Sequence, residues 1–164
     1  MFETQRLLIR ELKKSDAVVL SKYRSKEEVA YYQSWNHYPL IKAQKRIEYC
    51  LKHPLTNKRG NYQLAIVLKA TNQLIGDLYI EVLDEKYFSL GYTLDSDYWS
   101  LGYASEALKG ILDFMKDEYG FKLVLCHVYS NNTRSIRLLE NNGFEKYERS
   151  LIMGDIGYKK LLGR

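Results

Sequence analysis

The 164-residue sequence predicts a three-layer α+β fold, a mixed, mostly antiparallel sheet flanked by helices, on three observations. Residues 62–82 alternate apolar and polar side chains in two stretches joined by Thr71-Asn72, the signature of an antiparallel hairpin. Residues 104–119 place Ala104, Leu108, Ile111, Leu112, Met115 and Tyr119 at helical spacing ahead of Gly120. Residues 121–129 then form an apolar run that reads as a buried central strand. Helices interleaved with hairpin strands in this order argue against a doubly wound parallel sheet.

The elements follow in order along the chain. Residues 6–12, Arg-Leu-Leu-Ile-Arg-Glu-Leu, read as a first strand. Ser15-Asp16 supplies cap chemistry for a helix over residues 17–24, and a second helix runs from about residue 41 to 52 after Pro39. In the hairpin, Tyr62, Leu64, Ile66 and Leu68 share one face of the first strand, and Leu74, Gly76, Leu78, Ile80 and Val82 one face of the second. A third strand over about residues 87–94 follows the polar break Asp84-Glu85-Lys86. After the central strand, Asn131-Asn132-Thr133 caps a helix that reaches Asn141 or Asn142, and Gly143 stops it. Strands over residues 144–151 and about 156–161 close the pattern. No repeat and no Pro, Gly or Ser-rich linker divides the chain, so residues 1–164 are expected to form one domain.

Composition narrows the class. Hydrophobic residues make up 46% and charged residues 27%, with 2 Pro and 10 Gly, which excludes a disordered, collagenous or low-complexity chain. The longest apolar run, residues 64–68, falls far short of the roughly 20 residues that cross a bilayer. The amino terminus lacks the order of a signal peptide, so a soluble, cytoplasmic protein is expected. Cys50 and Cys126 lie far apart without metal-ligand or redox spacing, so both are expected reduced and buried, with no metal site. The net charge of +5 is uneven: residues 1–60 carry 13 Lys plus Arg against 6 Asp plus Glu, the remainder 12 against 14. A basic third attracts phosphates, RNA or acidic proteins, but its charges are scattered, no run exceeds two, and no RNA-binding motif appears, which favours a solvated surface. The 15 Tyr read mainly as packing residues, and any near a pocket suit a flat or cationic acceptor.

Two segments carry candidate chemistry. Trp99-Ser100-Leu101-Gly102-Tyr103-Ala104-Ser105-Glu106 joins an apolar strand to the strongest helix. A first helical turn offers amides without internal partners and a partial positive charge, and Gly102 admits an anion close to the main chain. Gly102 alone is also explained by an ordinary strand-to-helix turn. In the second segment, Asn132 and Ser135 stand three apart at a helix start and share a face towards a groove, or simply cap the helix.

Three blocks of the sequence resemble the GNAT superfamily of acyl-CoA-dependent N-acetyltransferases, and within it the Rim-type branch of ribosomal-protein alanine acetyltransferases. They are Thr4-Gln5-Arg6-Leu7-Leu8-Ile9-Arg10 with Asp16; Leu90-Gly91-Tyr92-Thr93-Leu94 running into Tyr98-Trp99-Ser100-Leu101-Gly102-Tyr103-Ala104-Ser105-Glu106-Ala107; and Asn132 with Ser135-Ile136-Arg137-Leu138-Leu139-Glu140 and Gly143-Phe144. The region from about residue 30 to 59 is the least familiar. The resemblance implies a twisted sheet that splits between the strand ending at Leu94 and the strand at residues 124–129, and acetyl-CoA or coenzyme A as cofactor. It implies that Tyr92 and Leu94 hydrogen-bond the pantetheine arm, that Ser100, Leu101, Gly102, Tyr103, Ala104 and Ser105 hold the pyrophosphate, and that Asn132 and Ser135 reach the coenzyme. The family's basic Gly-Lys-Gly type loop is replaced here by Ser100-Leu101 before Gly102, which removes a charged contact to phosphate.

The implied reaction is direct acetyl transfer to a primary amine on a protein amino terminus, a polyamine or an aminoglycoside-like molecule. Many members carry a Tyr acid where this chain has Leu139, and the Rim-type branch lacks it too, which turns attention to Ser135. Serine is a poor acid, so Ser135 orients or protonates the thiolate, or satisfies the helix end alone. Asp77, Tyr79 and Glu81 share a face of the hairpin strand, and Glu81 is the expected base, with surface exposure the plain alternative and His127 a further candidate. Glu81, Asp84, Glu85, Asp95 and Asp97 with Trp35 suit a cationic acceptor. Residues 31–38 form either the acceptor wall or a hydrophobic plug. A homodimer fits the resembling branch. Outside catalysis, an acyl-CoA-binding sensor or scaffold and an RNA-binding module remain open.

Overall fold

The computed structural model describes residues 1–149 and 154–163, the Arg149 side chain excepted. An eight-stranded sheet runs in the order β1-β2-β3-β4-β5-β6-β8-β7, with β1 (Phe2–Glu3), β2 (Leu7–Glu11), β3 (Gly60–Leu68), β4 (Gln73–Val82), β5 (Tyr87–Leu94), β6 (Leu123–Tyr129), β7 (Glu145–Arg149) and β8 (Asp155–Leu161). Every neighbouring pair is antiparallel except β5 and β6, which are parallel. That exception follows from chain order, because the long helix α4 (Tyr103–Tyr119) carries the chain from β5 to β6 as a crossover. The remaining helices are α1 (Ala17–Arg24), α2 (Glu27–Ala30), α3 (Leu40–Lys52) and α5 (Thr133–Asn141). No helix among the described residues is long and apolar enough to cross a membrane.

The expected α+β, three-layer arrangement is the one observed. One core cluster joins Leu64, Ile66, Leu78, Ile80 and Phe88 of the sheet to the apolar stripe of α4 and to Leu139 of α5. A second, smaller cluster on the opposite face joins Ala65, Val67 and Leu74 to Leu20, Tyr23, Ala43 and Ile47 of α1 and α3. Both faces of β3 are therefore buried, which overrides the half-exposed alternation read from its sequence. The hairpin turn contains Asn72 in left-handed backbone, as a tight Thr-Asn turn requires. Cys50 and Cys126 are free and buried. The closing strand expected over residues 144–151 appears as β7, and its last two positions lie outside the described residues.

One face assignment is corrected. Alternation groups Leu74 with Gly76 and Leu78, but Ile66 pairs with Gly76 while Val67 pairs with Leu74, leaving Ile75 as a bulged extra residue. Leu74 therefore packs in the smaller cluster and Ile75 in the larger one. Next to the bulge, β4 and β5 approach so closely that a Cβ on Gly76 would lie 2.4 Å from the Thr93 carbonyl oxygen. Only glycine fits there.

Asp77 is also not where an acceptor could meet it. It is fully buried and accepts hydrogen bonds from Arg24 Nη2 at 2.5 Å, Arg24 Nε at 3.0 Å and Gln63 Nε2 at 2.9 Å, as well as from the Tyr23 hydroxyl. Burial opposes the charge on Arg24, but the adjacent Asp77 carboxylate holds the guanidinium firmly protonated. Trp35 and Tyr38 stack on that guanidinium with centroids at 4.2 and 4.9 Å, and Trp35 Nε1 donates to the Arg24 carbonyl at 2.8 Å. The network ties α1 and the loop before α3 to β4 and, through Thr93, to β5. Replacing Arg24 with Met leaves Asp77 buried without its counter-ion, and the expected loss is about 3–5 kcal/mol of unfolding free energy by urea titration. Adding Asp77→Asn to that variant removes the stranded charge and should recover part of the loss.

Candidate active site

The sheet forks. β5 and β6 pair only through Tyr87, Phe88 and Ser89 with Leu123, Val124 and Leu125, after which β5 continues to Leu94 and β6 to Tyr129 without contacting each other as a ladder. Their other edges stay paired, β5 to β4 as far as Leu94 and β6 to β8 as far as Tyr129. The split expected between these strands is thus present. Two cavities of about 270 and 260 Å³ open into it and share Tyr32, Gln33, Tyr92, Asn132 and Ser135.

The first cavity is built on the start of α4. Ser100 and Gly102 both take left-handed backbone, with φ of 63° and 85°, and a Cβ on Gly102 would lie 3.2 Å from Arg6 Nη2. Gly102 is the cap residue and brings no side-chain acceptor, so the first-turn amides of α4 have no partner within the helix. Ser100, Gly102, Tyr103, Ala104 and Ser105 all line this cavity. Leu101 does not: its side chain is exposed and its carbonyl accepts from Arg6 Nη1 at 2.9 Å. Glu106 braces the turn by accepting from Thr4 Oγ1 at 2.5 Å and from the Arg6 backbone N and Nε at 2.7 Å each. Burial pushes the Glu106 carboxyl up, but these donors and the Arg6 charge outweigh it and hold it below the usual glutamate range.

Charge that the Ser100-Leu101 loop lacks is supplied from another element. Arg134 and Arg137 of α5 line the same cavity, and the Arg134 guanidinium stacks on Trp99 at 3.6 Å from the ring centroid. The sequence held a signal for this, because Arg134, Arg137, Leu138 and Asn141 recur at helical spacing and all four face the cavity.

At the junction of the two cavities, the Tyr92 hydroxyl donates to Ser135 Oγ at 2.8 Å, and Asn132 Oδ1 accepts from the Ser135 backbone N at 3.2 Å. Asn132 therefore caps α5 and lines both cavities at once. Burial pushes the Tyr92 phenol well above its ordinary range, only partly offset by the contact with Ser135. Leu94 lines the first cavity, but its carbonyl already accepts from Trp99 Nε1 at 2.9 Å. Leu139 sits in the core. A hydroxyl reaches the fork from β5 instead, a role for the Tyr92 side chain that strand patterning does not reveal.

The second cavity is lined by Tyr32, Ser34, Gly91, His127, Tyr129 and Asp155 among others. Its carboxylate is Asp155, not one of the acidic residues singled out from the sequence. Asp95 and Asp97 are engaged by Lys26 Nζ at 2.6 and 3.2 Å, and Asp84 and Glu85 are exposed beyond the joined end of the fork. Glu81, the expected base, is exposed opposite Ser89 and lines neither cavity, because its register places it beside the paired end of β5. The His127 ring reaches Glu148 Oε1 and the Tyr147 hydroxyl, each at 3.1 Å, across Gly157, while still lining the second cavity. Residues 31–38 divide between both expected roles: Tyr32, Gln33 and Ser34 line the cavities, whereas Trp35 and Tyr38 pack onto Arg24.

The forked sheet thus sets the start of α4 on one side and an open cleft on the other, and comparison with known proteins gives the family. Residues 6–145 match the acetyltransferase (GNAT) domain model, and the chain belongs to that family, a family of N-acetyltransferases. It is 28% identical over 145 residues to the uncharacterised N-acetyltransferase p20 of Bacillus licheniformis, covering 87% of this chain and 81% of that protein. Its fold is that of the Vibrio cholerae spermidine N-acetyltransferase in complex with CoA and spermine (TM-score 0.84, 12% identity, 97% of each chain). It is also that of RimL, the ribosomal L7/L12 alpha-N-protein acetyltransferase in complex with coenzyme A (TM-score 0.83, 15% identity, 97% of this chain and 96% of that one).

The Glu106 brace makes a pH-dependent prediction. A carboxyl held below its unfolded value adds stability that is complete above the unfolded glutamate range and disappears as pH falls through the folded value. Glu106→Gln should lower unfolding free energy by about 1–3 kcal/mol at pH 7, and the gap to the native protein should close as melts are repeated at decreasing acid pH.

Proposed function

We propose that residues 1–164 form one N-acetyltransferase domain that moves the acetyl group of acetyl-CoA to a primary amine. The observation that carries this reading is the meeting of the two cavities at Tyr92, Asn132 and Ser135, on either side of which the lining has opposite chemistry. The residues suit the coenzyme: first-turn amides of α4 without a partner within the helix and Arg134 and Arg137 face the cavity that would take its phosphates, and the edge of β5 at Tyr92 that β6 leaves unpaired offers strand-like hydrogen bonds to the pantetheine arm. When bound, acetyl-CoA supplies a thioester carbonyl carbon as the acetyl donor. Gly102, Tyr103, Ala104 and Ser105 hold the pyrophosphate through main-chain donors, with Ser100 and Leu101 shaping the turn before them. Asn132 fixes the start of α5 so that Ser135 faces the thioester end. The protein acts mainly by positioning, which lowers the barrier through proximity.

The acceptor enters through the second cavity, where Tyr32, Tyr129 and Asp155 suit a cationic amine. Its substrate is a polyamine or a protein amino terminus, in line with the activities named for the two structural neighbours. Glu81 has no part in this reading. The ammonium loses its proton to water at the exposed mouth of the cleft, beside His127 and Tyr129.

The melting temperature should rise by about 5–10 °C with acetyl-CoA at roughly a hundred times its dissociation constant, since linkage gives about 2.7 kcal/mol there. Asn132→Ala should reduce that rise, and an unchanged rise would remove Asn132 from the site. Acetyl transfer should then be measured with spermine and with a short peptide carrying a free amino terminus. A melting shift without turnover of either acceptor would favour the acyl-CoA-binding sensor, and no shift at all would reject the coenzyme site.

A further inference from the structure

We infer that Tyr92 is a positioning residue that aims the Ser135 hydroxyl proton at the coenzyme sulfur, so that Ser135 stabilises the leaving thiolate by hydrogen bonding. The inference rests on the acetyl-CoA reading above and adds a role for a side chain that neither the sequence blocks nor the family resemblance assigns.

The geometry is specific. Ser135 is held twice, its backbone N by Asn132 Oδ1 at 3.2 Å and its Oγ by the Tyr92 hydroxyl at 2.8 Å. A serine hydroxyl has one proton and two lone pairs, and a phenol is the stronger donor of the two. With one lone pair of Oγ occupied by the Tyr92 proton, the Ser135 proton is left to point elsewhere. Both residues line both cavities, so the junction between the cavities is open to that proton. Burial raises the Tyr92 phenol pKa, so the hydroxyl keeps the proton that it donates to Ser135 Oγ.

The chemistry that follows is hydrogen bonding and not proton donation. As the amine nitrogen bonds the acetyl carbon, the C–S bond breaks with its electron pair left on sulfur, and the nitrogen gives up its extra proton to water. A serine hydroxyl is a far weaker acid than a thiol, so full transfer of its proton is uphill, while a hydrogen bond to the developing charge is favourable. The thiolate takes its proton from water on release, and Ser135 and Tyr92 keep theirs. Leu139, one turn further along α5, is packed in the core and offers the fork no polar group.

Titration of the thiol of bound coenzyme A tests the inference without any acceptor, using the ultraviolet absorbance of the thiolate. The native protein should lower that thiol pKa relative to Tyr92→Phe by about one unit, a tenfold change in the thiolate to thiol ratio. Ser135→Ala should show the same loss, and the double variant should lose no more than either single one, because the two hydroxyls act as one device. Calorimetric affinity for coenzyme A at pH 7 should stay within about threefold in all three, which separates this role from a packing defect. A Tyr92→Phe complex that titrates like the native one, or losses in the single variants that add, would overturn the inference while leaving the coenzyme site intact. Absence of coenzyme A binding to the native protein would overturn both.

Discussion

The separation of β5 from β6 is the constraint on which the rest of this structure depends. Two parallel strands joined by a helical crossover would ordinarily pair along their length, yet here they pair over three residues each and then part. Beyond that point the facing edges carry backbone donors and acceptors that the sheet does not satisfy. Such groups need water or a strand-like ligand. The opening is therefore both a cost of the fold and the reason an extended, amide-bearing molecule fits into it.

Two braces flank the fork, one on each face of the sheet. On the α1 and α3 side, the buried Arg24 and Asp77 pair locks α1 onto β4 and reaches Thr93 of β5. On the α4 side, Glu106 draws together Thr4, Arg6 and the first turn of α4, with Arg6 also stacked on Tyr103 at 4.3 Å. A buried ion pair is weak evidence of net stability, since desolvation offsets much of the attraction. Its value here lies in geometry: the charges fix where the helices meet the strands that flank the opening.

The two cavities differ in sign. Helix amides and two arginines surround one, and a carboxylate with tyrosines surrounds the other. In the proposed reaction this sorts an anionic coenzyme from a cationic amine before either reaches Ser135, and it does so with fixed groups that need no rearrangement. The uneven charge along the chain, basic first and slightly acidic after, has no part in this sorting, because Arg134 and Arg137 come from the later, more acidic portion.

Local patterning determined much of this protein. The strands, the hairpin turn at Asn72, the caps at Asn132 and Gly102 and the long stripe of α4 all follow from neighbouring residues, whose propensities act over a few positions and are written in order along the chain. The order of the three blocks along the chain likewise points to the family. Tertiary structure alone decided what depends on register and on distant partners. A single bulge at Ile75 put Leu74 on the opposite face of β4 from Leu78, Ile80 and Val82. Asp77 became a buried counter-ion because Arg24 lies 53 positions away in the chain but next to it in space. Glu81 fell outside the cleft because its partner is Ser89, at the closed end of the fork. The meeting of Tyr92 with Ser135, 43 residues apart, is invisible to any local rule, since the sheet's divergence and the placement of α5 set it.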